Sequence, residues 1–292
     1  MENFDFNNPD IAMNTILAQQ MVAAVEGVPA FPVSVKKILE LTADINCSVK
    51  ELVQVIGGDP IVTVRILRVV NSSYYCLREK ISSLEHAVVY LGFNTIKNLA
   101  IAIAAIGALP LKNSANFDVS SYLQHCLSTA SIAKHFGSNI AGADPADCFI
   151  VGLLHDFGKI VLMQFKPVEF GLALRDSRED GMSLHVALRK IIGVDHTTVG
   201  GMVMEKWQFP HHLTEAIRCQ FSPELKDTSL SACVFAANQI SKRLNLGDAG
   251  NTHVDELPIF VQQRLGGSLE ELITSVANMK SMFEDRHIAL LL

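Results

Sequence analysis

The chain has 292 residues, 49% of them hydrophobic and 18% charged, a balance that supports a sizeable buried core and excludes a disordered or low-complexity polypeptide. A formal charge of −6 and a pI near 5.9 argue against neutralisation of nucleic-acid phosphates as its main task, leaving room only for a local basic patch. Its six cysteines (47, 76, 126, 148, 219, 233) include no C-x-x-C, and a chain this long needs no disulfide staples, so reduced thiols in a cytoplasmic protein are expected.

The opening M-E-N-F-D-F-N-N-P-D places acids where an export signal has lysine or arginine, and no such signal is read there. The longest apolar run, Leu99 to Leu111, has thirteen residues interrupted by Gly107 and Pro110. It is too short to span a bilayer and reads as a core helix, so no membrane span is expected.

In chain order, apolar spacing predicts a helix over 11–26 that stops at Gly27, followed by an extended V-P-A-F-P and a second helix over 33–41. Ser48-Val49-Lys50-Glu51 has capping-box form and opens a short helix that ends at Gly57-Gly58. Asp59 as N-cap with Pro60 at the first helical position starts the next, with Ile61, Val64, Ile66, Leu67 and Val70 as its apolar residues and Asn71 closing it. Arg65 and Arg68 on this helix give a superficial helix-turn-helix look. An ordinary hairpin with two solvated arginines suits the negative charge better, so nucleic acid is not an expected partner.

Ser82-Ser83-Leu84-Glu85 reads as another capping box, opening a helix through Leu91 that Gly92 ends with a left-handed cap. Asn94 is placed as the cap of a helix from Thr95, whose L-A-I-A-I-A-A-I run is apolar nearly all round and belongs at the centre of its lobe. Pro110 ends it, and L-K-N-S-A-N-F is the expected junction between halves.

Three strings, V-P-A-F-P, then D-P-I-V-T-V-R-I-L-R-V-V-N-S-S-Y-Y, then S-S-L-E-H-A-V-V-Y-L-G-F-N-T-I-K-N-L, resemble the first half of the HDOD domain, an all-helical bacterial module related to HD-type phosphohydrolases. Pro29, Pro32, Asp59, Pro60, Asn71, Ser72, Leu91 and Gly92 carry the likeness, which covers roughly residues 20–245.

In the second half, Asp118 or Ser120 caps a helix that carries His125 and ends at Gly137, and Asp144-Pro145 opens the helix containing G-L-L-H-D-F-G-K-I-V-L. Asp195 caps a helix beginning at His196, and its Gly200-Gly201 admits a close backbone neighbour. Pro210 opens a helix through Ile217, with His211 and His212 as surface residues of its first turn. A last helix of this lobe spans 228–244 and carries Asn238; a hairpin of helices over 258–265 and 268–283 forms the tail.

His155 and Asp156 lie together in an apolar run, and buried ionisable groups need partners or a metal. The resemblance implies a metal site: His125, His155 and Asp156 match the first three ligand positions of HD hydrolases, and imidazole with carboxylate suits divalent first-row ions. Where that family has its last aspartate, this chain has Asn238, and Cys219-Gln220 stands where two-metal relatives have paired histidines. His196 matches a further histidine of the two-metal group. Lys159 reads either as a contact for a phosphate or as a lysine snorkelling to solvent. His125 and His196 read equally well as satisfied core histidines, and a zinc site recruiting Cys219 is a minor alternative.

The resulting expectation is an all-α, two-lobed protein, with a helical lead-in over 1–19, an HDOD-specific lobe over 20–112, an HD-like lobe over 113–246 and a helical tail over 247–292. The resemblance implies a non-catalytic regulatory role through a degenerate metal site, with no cofactor expected beyond a divalent ion of unspecified identity. A signalling protein or a small nucleotide-type ligand is the expected partner. The alternative is a metal-dependent phosphohydrolase acting on a nucleotide or cyclic dinucleotide, with Asp156 and Lys159 in the catalytic roles.

Overall fold

Short polar residues decide where the helices begin. In the computed structural model, which describes residues 20–28, 37–38, 41, 48–71, 77, 79–107, 117–221, 228–250 and 252–277, helices follow one another with no strand among the described residues. Residues 20–27 are helical, and Lys206 Nζ donates to the carbonyls of Val25, Glu26 and Val28, satisfying the acceptors that a helix end leaves bare. Ser48 and Glu51 form the expected capping box of α1 (Val49–Gly57). Asp59 accepts from the amides of Ile61 and Val62 to start α2 (Pro60–Val70). Asn71 then clasps Ile81, donating to its carbonyl and accepting from its amide, both at 2.7 Å.

Several expectations need correction here. The buried stripe of α2 is Val62, Ile66, Val69 and Val70, whereas Ile61 and Val64 face solvent, because β-branched residues crowd this helix and composition alone does not select its inner face. Helix α3 (Leu84–Leu91) is capped by Ser83, which accepts from the amide of His86, so the capping box read from Ser82 is not formed. Gly92 has the positive φ expected, 86°, but with ψ 156° it is extended rather than left-handed helical, and α4 (Phe93–Gly107) starts directly after it. Asn94 therefore lies inside α4 instead of capping it. The predicted helical residues 11–19, most of 33–41, the V-P-A-F-P segment after Val28, Pro110, most of the L-K-N-S-A-N-F junction and residues 278–283 lie outside the described residues.

Asp118 accepts from the Ser121 amide and opens α5 (Val119–Asn139), which continues two residues past Gly137. The next apolar stretch is not one helix. Helix α6 (Pro145–Leu154), capped by Asp144, and α7 (Phe157–Phe165) are separate, with His155 and Asp156 at the break. As one stretch, Pro145–Phe165 is long and apolar enough to cross a membrane, but 89% of its apolar window is buried inside the protein, as a central core segment is. Two helices went unread in the sequence: α8 (Pro167–Asp180) and α9 (Leu184–Ile192), each ended by a glycine at positive φ. Then come α10 (His196–Lys206), capped by Asp195 as predicted, α11 (His211–Arg218) and α12 (Ser229–Arg243). In the tail, α13 (Ile259–Leu265) and α14 (Leu269–Ser275) pack on α12, and α14 stops well before the predicted end at 283.

Helices α1–α4 pack on one another and α4 also meets α6, while α5, α6 and α12 form a second tightly packed group and α7 crosses α10. One contiguous apolar cluster runs through all of them, from Met21 to Val276. Two glycines flanking the His-Asp pair set its depth. A Cβ on Gly152 would lie 2.7 Å from Ala130 Cα, so α6 rests backbone to backbone on α5; a Cβ on Gly158 would lie 1.9 Å from the His196 carbonyl oxygen and 2.7 Å from the Gly200 nitrogen. The close approach expected at Gly200 is thus made to α7, through Gly158.

Gly158→Ala should destabilise the protein by ~3 kcal/mol or more, since the obstacle is backbone that cannot rotate away. Gly171→Ala, in the interior of α8 with nothing within 4 Å of the added carbon, should stabilise by roughly 0.5–1 kcal/mol. Paired urea melts of the two variants check this, and equal midpoints would contradict it.

Candidate functional site

The break between α6 and α7 exposes polar backbone, and side chains satisfy it. Gln220 Nε2 donates to the His155 carbonyl at 2.8 Å, and the Asp156 carboxylate is not spent on capping α7. That carboxylate is fully buried and stands at the centre of four side chains. Lys159 Nζ lies 2.6 Å from Oδ2 one helical turn along α7, His155 Nε2 lies 3.3 Å from the same oxygen, and His125 Nε2 from α5 lies 3.7 Å from it. His196, the first residue of α10, brings its Nε2 to 3.1 Å from Oδ1, without hydrogen-bond alignment.

The imidazoles are oriented from behind. His155 Nδ1 bonds the Gly152 carbonyl at 2.7 Å, which makes it the protonated nitrogen and leaves Nε2 for the centre. His125 Nδ1 bonds Ser241 Oγ at 3.0 Å, and that hydroxyl in turn donates to the Leu246 carbonyl, so Nε2 of His125 also points inward as an acceptor. Neither Nε2 has a hydrogen-bond partner among the described residues.

Burial opposes ionisation of Asp156, but the neighbouring His155 imidazole and the Lys159 ammonium, with His196 on its other oxygen, hold its carboxyl well below the usual range. Burial, followed by the neighbouring His155, pushes His125 well below the ordinary histidine value, and burial lowers His196 against the pull of Asp156. The centre therefore carries one carboxylate, one bonded ammonium and neutral His125 and His196 at neutral pH. A second ammonium stands nearby: Lys242 on α12 is buried, and its Nζ has no hydrogen-bond partner among the described residues.

His125, His155 and Asp156 form a triad whose donor atoms all lie within 4.8 Å of one another, close enough to share an ion. Two edges of that triangle, 3.3 and 3.7 Å, match the spacing of ligands around a first-row metal, and the unpartnered Nε2 atoms are what such an ion would satisfy. The charge does not match. Asp156 Oδ2, the oxygen nearest both imidazoles, already holds the Lys159 ammonium, and like charges ~4 Å apart repel by about 4 kcal/mol per unit charge at an effective dielectric of 20. Asn238 adds only a neutral amide, and no second carboxylate joins the cluster among the described residues. The residues present do not fit a tightly held divalent ion.

Of the residues singled out in the sequence, His125, His155, Asp156, Lys159 and His196 meet around one carboxylate, and Asn238 is buried on α12 with its Oδ1 unbonded among the described residues and no bond to any of them. Lys159 does not snorkel: it is 1% exposed and also donates to the Ala249 carbonyl at 3.1 Å. Cys219 is not part of the cluster, and Gln220 is a backbone clamp rather than a lost ligand. His212 lies at the surface, paired with Asp147 at 2.9 Å. Ser241 and Lys242 went unnoticed, because N-Q-I-S-K carries no spacing that distinguishes an inward-facing lysine from one facing solvent.

The family model of the HDOD domain matches residues 28–223, two thirds of the chain and all of the Asp156 centre except its supports from α12 and from Ala249. The chain belongs to the HDOD family. Among solved structures, this HDOD chain is similar to an HDOD domain protein of unknown function from Geobacter sulfurreducens, with 22% identity, TM-score 0.77, and coverage of 97% of this chain and 99% of that one. A candidate phosphohydrolase from Shewanella amazonensis follows at 21% identity and TM-score 0.74, covering 93% and 97%. A candidate signal transduction protein from Marinobacter aquaeolei shares 22% identity at TM-score 0.76, covering 95% of this chain and 65% of that one. At these identities the likeness establishes the HD-related helical fold. An uncharacterised protein of Treponema pallidum is 22% identical over 284 residues; the match takes in 94% of this chain and only 53% of that longer protein.

Burial lowers His125 and His196, and lowers His185 to about 4, each below the unfolded value near 6.5. Below pH 6.5 the unfolded chain therefore takes up protons that the native state refuses, so stability falls with acid and rises with pH until the unfolded histidines are neutral. Urea denaturation from pH 5 to 7 should show stability climbing by about 1.4 kcal/mol per pH unit for each proton taken up, and His196→Gln should flatten the slope. A flat profile would contradict the buried neutral imidazoles.

Proposed function

We propose that this protein is a regulatory HDOD member in which an HD-type centre serves as a fixed polar core, and that it acts by binding a small signalling ligand or a protein partner. One observation carries the reading: the ammonium of Lys159 occupies the carboxylate oxygen around which the imidazoles gather, at 2.6 Å and out of contact with water. A cation supplied by the chain stands in the role that a metal ion has in a hydrolase. Such a pair gives the centre a defined geometry without a cofactor, although buried ion pairs add little net stability over apolar packing. The same arrangement removes the means of making hydroxide at neutral pH, since that step depends on a bound ion that lowers the pKa of water.

The rival reading, a metal-dependent phosphohydrolase, draws on the unpartnered Nε2 atoms of His125 and His155. The two part company at Lys159. In the regulatory reading the purified protein holds no stoichiometric divalent metal and shows no metal-dependent turnover of nucleotides or cyclic dinucleotides. Lys159→Met keeps the side-chain volume but leaves Asp156 buried and uncompensated, which should lower stability by about 3–5 kcal/mol. Added Zn²⁺ or Mn²⁺ should then restore part of that loss in the variant while leaving the parent melting temperature unchanged. Stoichiometric metal with metal-dependent hydrolysis in the parent protein sinks this reading.

A further inference from the structure

After α12 the chain reads Gly247-Asp248-Ala249-Gly250, four residues with one methyl group and one carboxylate between them. The stretch is not helical and has almost nothing with which to build a core, yet Ala249 and Gly250 are buried. Gly247 and Gly250 have φ of 82° and 78°, a conformation that glycine adopts at little cost. A Cβ on Gly247 would run into the Ser121 carbonyl oxygen and lie 2.5 Å from the His125 nitrogen, so the segment lies backbone to backbone on α5. A Cβ on Gly250 would lie 2.5 Å from Leu174 Cδ2 on α8. Between these two contacts the Ala249 carbonyl accepts from Lys159 Nζ at 3.1 Å. The segment therefore crosses from α5 to α8 directly over the ammonium that Asp156 holds.

On its outer side the segment borders a cavity of about 500 Å³, whose lining includes Ser121, His125, Gly247, Asp248 and Ala249. Two of these residues also reach the centre: Ala249 through its bond to Lys159, and His125 through its Nε2, 3.7 Å from Asp156 Oδ2. A single layer of backbone thus separates the cavity from the buried carboxylate. Its ties are few. The Asp248 amide donates to the Ser121 carbonyl at 3.1 Å, while the Asp248 carboxylate accepts from the Gly250 amide at 2.7 Å and lies 3.6 Å from Arg178 at the surface. The side chains gathered on Asp156 stand instead at or beside helices whose apolar faces share one buried cluster. Segments with few buried apolar contacts open locally at a lower free energy than packed helices do. Lifting Ala249 would leave Lys159 on Asp156 at 2.6 Å, so the centre can be uncovered without leaving a buried carboxylate uncompensated.

We infer that residues 247–250 are a strap that gates the Asp156 centre: seated, it holds Lys159 and walls off the cavity; lifted, it joins the cavity to the His125 imidazole and admits small solutes. The inference rests on the regulatory reading for its biological role, and gives that reading a moving part. Its physical content does not depend on whether the Asp156 centre turns anything over.

Diethyl pyrocarbonate, which modifies neutral imidazoles, tests it on the full chain in the presence of EDTA, with the modified histidines located by peptide mass spectrometry. In the parent, His212 at the surface should react fast and His125 slowly. Gly247→Ala drives the strap off α5 and should raise the His125 rate by about tenfold or more, with His212 unchanged. Asp248→Ala removes the ties to Gly250 and Arg178 without adding an atom to the strap, and should raise the His125 rate severalfold; it carries the test if Gly247→Ala does not fold. Cys233, buried on α12, reports global unfolding and should resist iodoacetamide equally in the parent and both variants. An unchanged His125 rate in Asp248→Ala and in any folded Gly247→Ala, or Cys233 alkylation rising in step with His125 modification, overturns the proposal. Metal-dependent turnover by the parent would sink the regulatory reading and leave the strap standing.

Discussion

Contact between helix backbones is the constraint on which the centre of this protein depends. Gly152 lets α6 lie on α5 at Ala130, and Gly158 lets α7 lie on α10 at His196 and Gly200, with no side chain between them. Only the five residues L-L-H-D-F separate the two glycines, so the two contacts pin the break between α6 and α7 from both sides. His125 comes to Asp156 because α5 is held close, and His196 comes because α10 is. A methyl group at either glycine would push away the helix that supplies one of the imidazoles.

Once the carboxylate of Asp156 is buried, its charge has to be answered from within the protein. Lys159 answers it at 2.6 Å, with Ala249 accepting another of its protons, while the imidazoles are oriented from behind by Gly152 and Ser241. This order of strength matters for function. A carboxylate shared only among imidazoles would be a metal ligand in waiting; one that already holds an ammonium is the anion of an internal ion pair. The neutral amide of Asn238 points the same way, because it adds a donor atom without adding negative charge. Lys242, buried nearby with its Nζ unbonded among the described residues, adds a second ammonium close to the centre.

Much of the helical framework was legible from local chemistry. Ser48 with Glu51, Asp59 with Pro60, Asp144 with Pro145 and Asp195 each start a helix where short polar side chains bond the first free amides. The misses have physical causes as well. Ser82 and Ser83 are both competent caps, and packing of Leu84 into the core selected the second. Helix α8 is amphipathic only weakly and rich in charge, so its pattern did not stand out, although Pro167 and Gly181 mark both of its ends. The joint at His155 and Asp156 was invisible because apolar residues continue on both sides of it, and periodicity cannot register a bend inside a run that is buried all round.

The order of residues by itself determined an all-α chain, the start of most helices, the presence of an adjacent His-Asp pair in apolar surroundings and the absence of a carboxylate at position 238. These follow from interactions between residues a few positions apart, which a linear reading can follow. Tertiary structure alone decided what surrounds the pair: that Lys159 turns inward to Asp156, that His196 joins from α10, that Gln220 seals the helix break, and that the Lys242 ammonium is buried nearby, unbonded among the described residues. Each of those outcomes depends on which helix faces are pressed together, and that is set by close packing across the whole core rather than by any spacing along the chain.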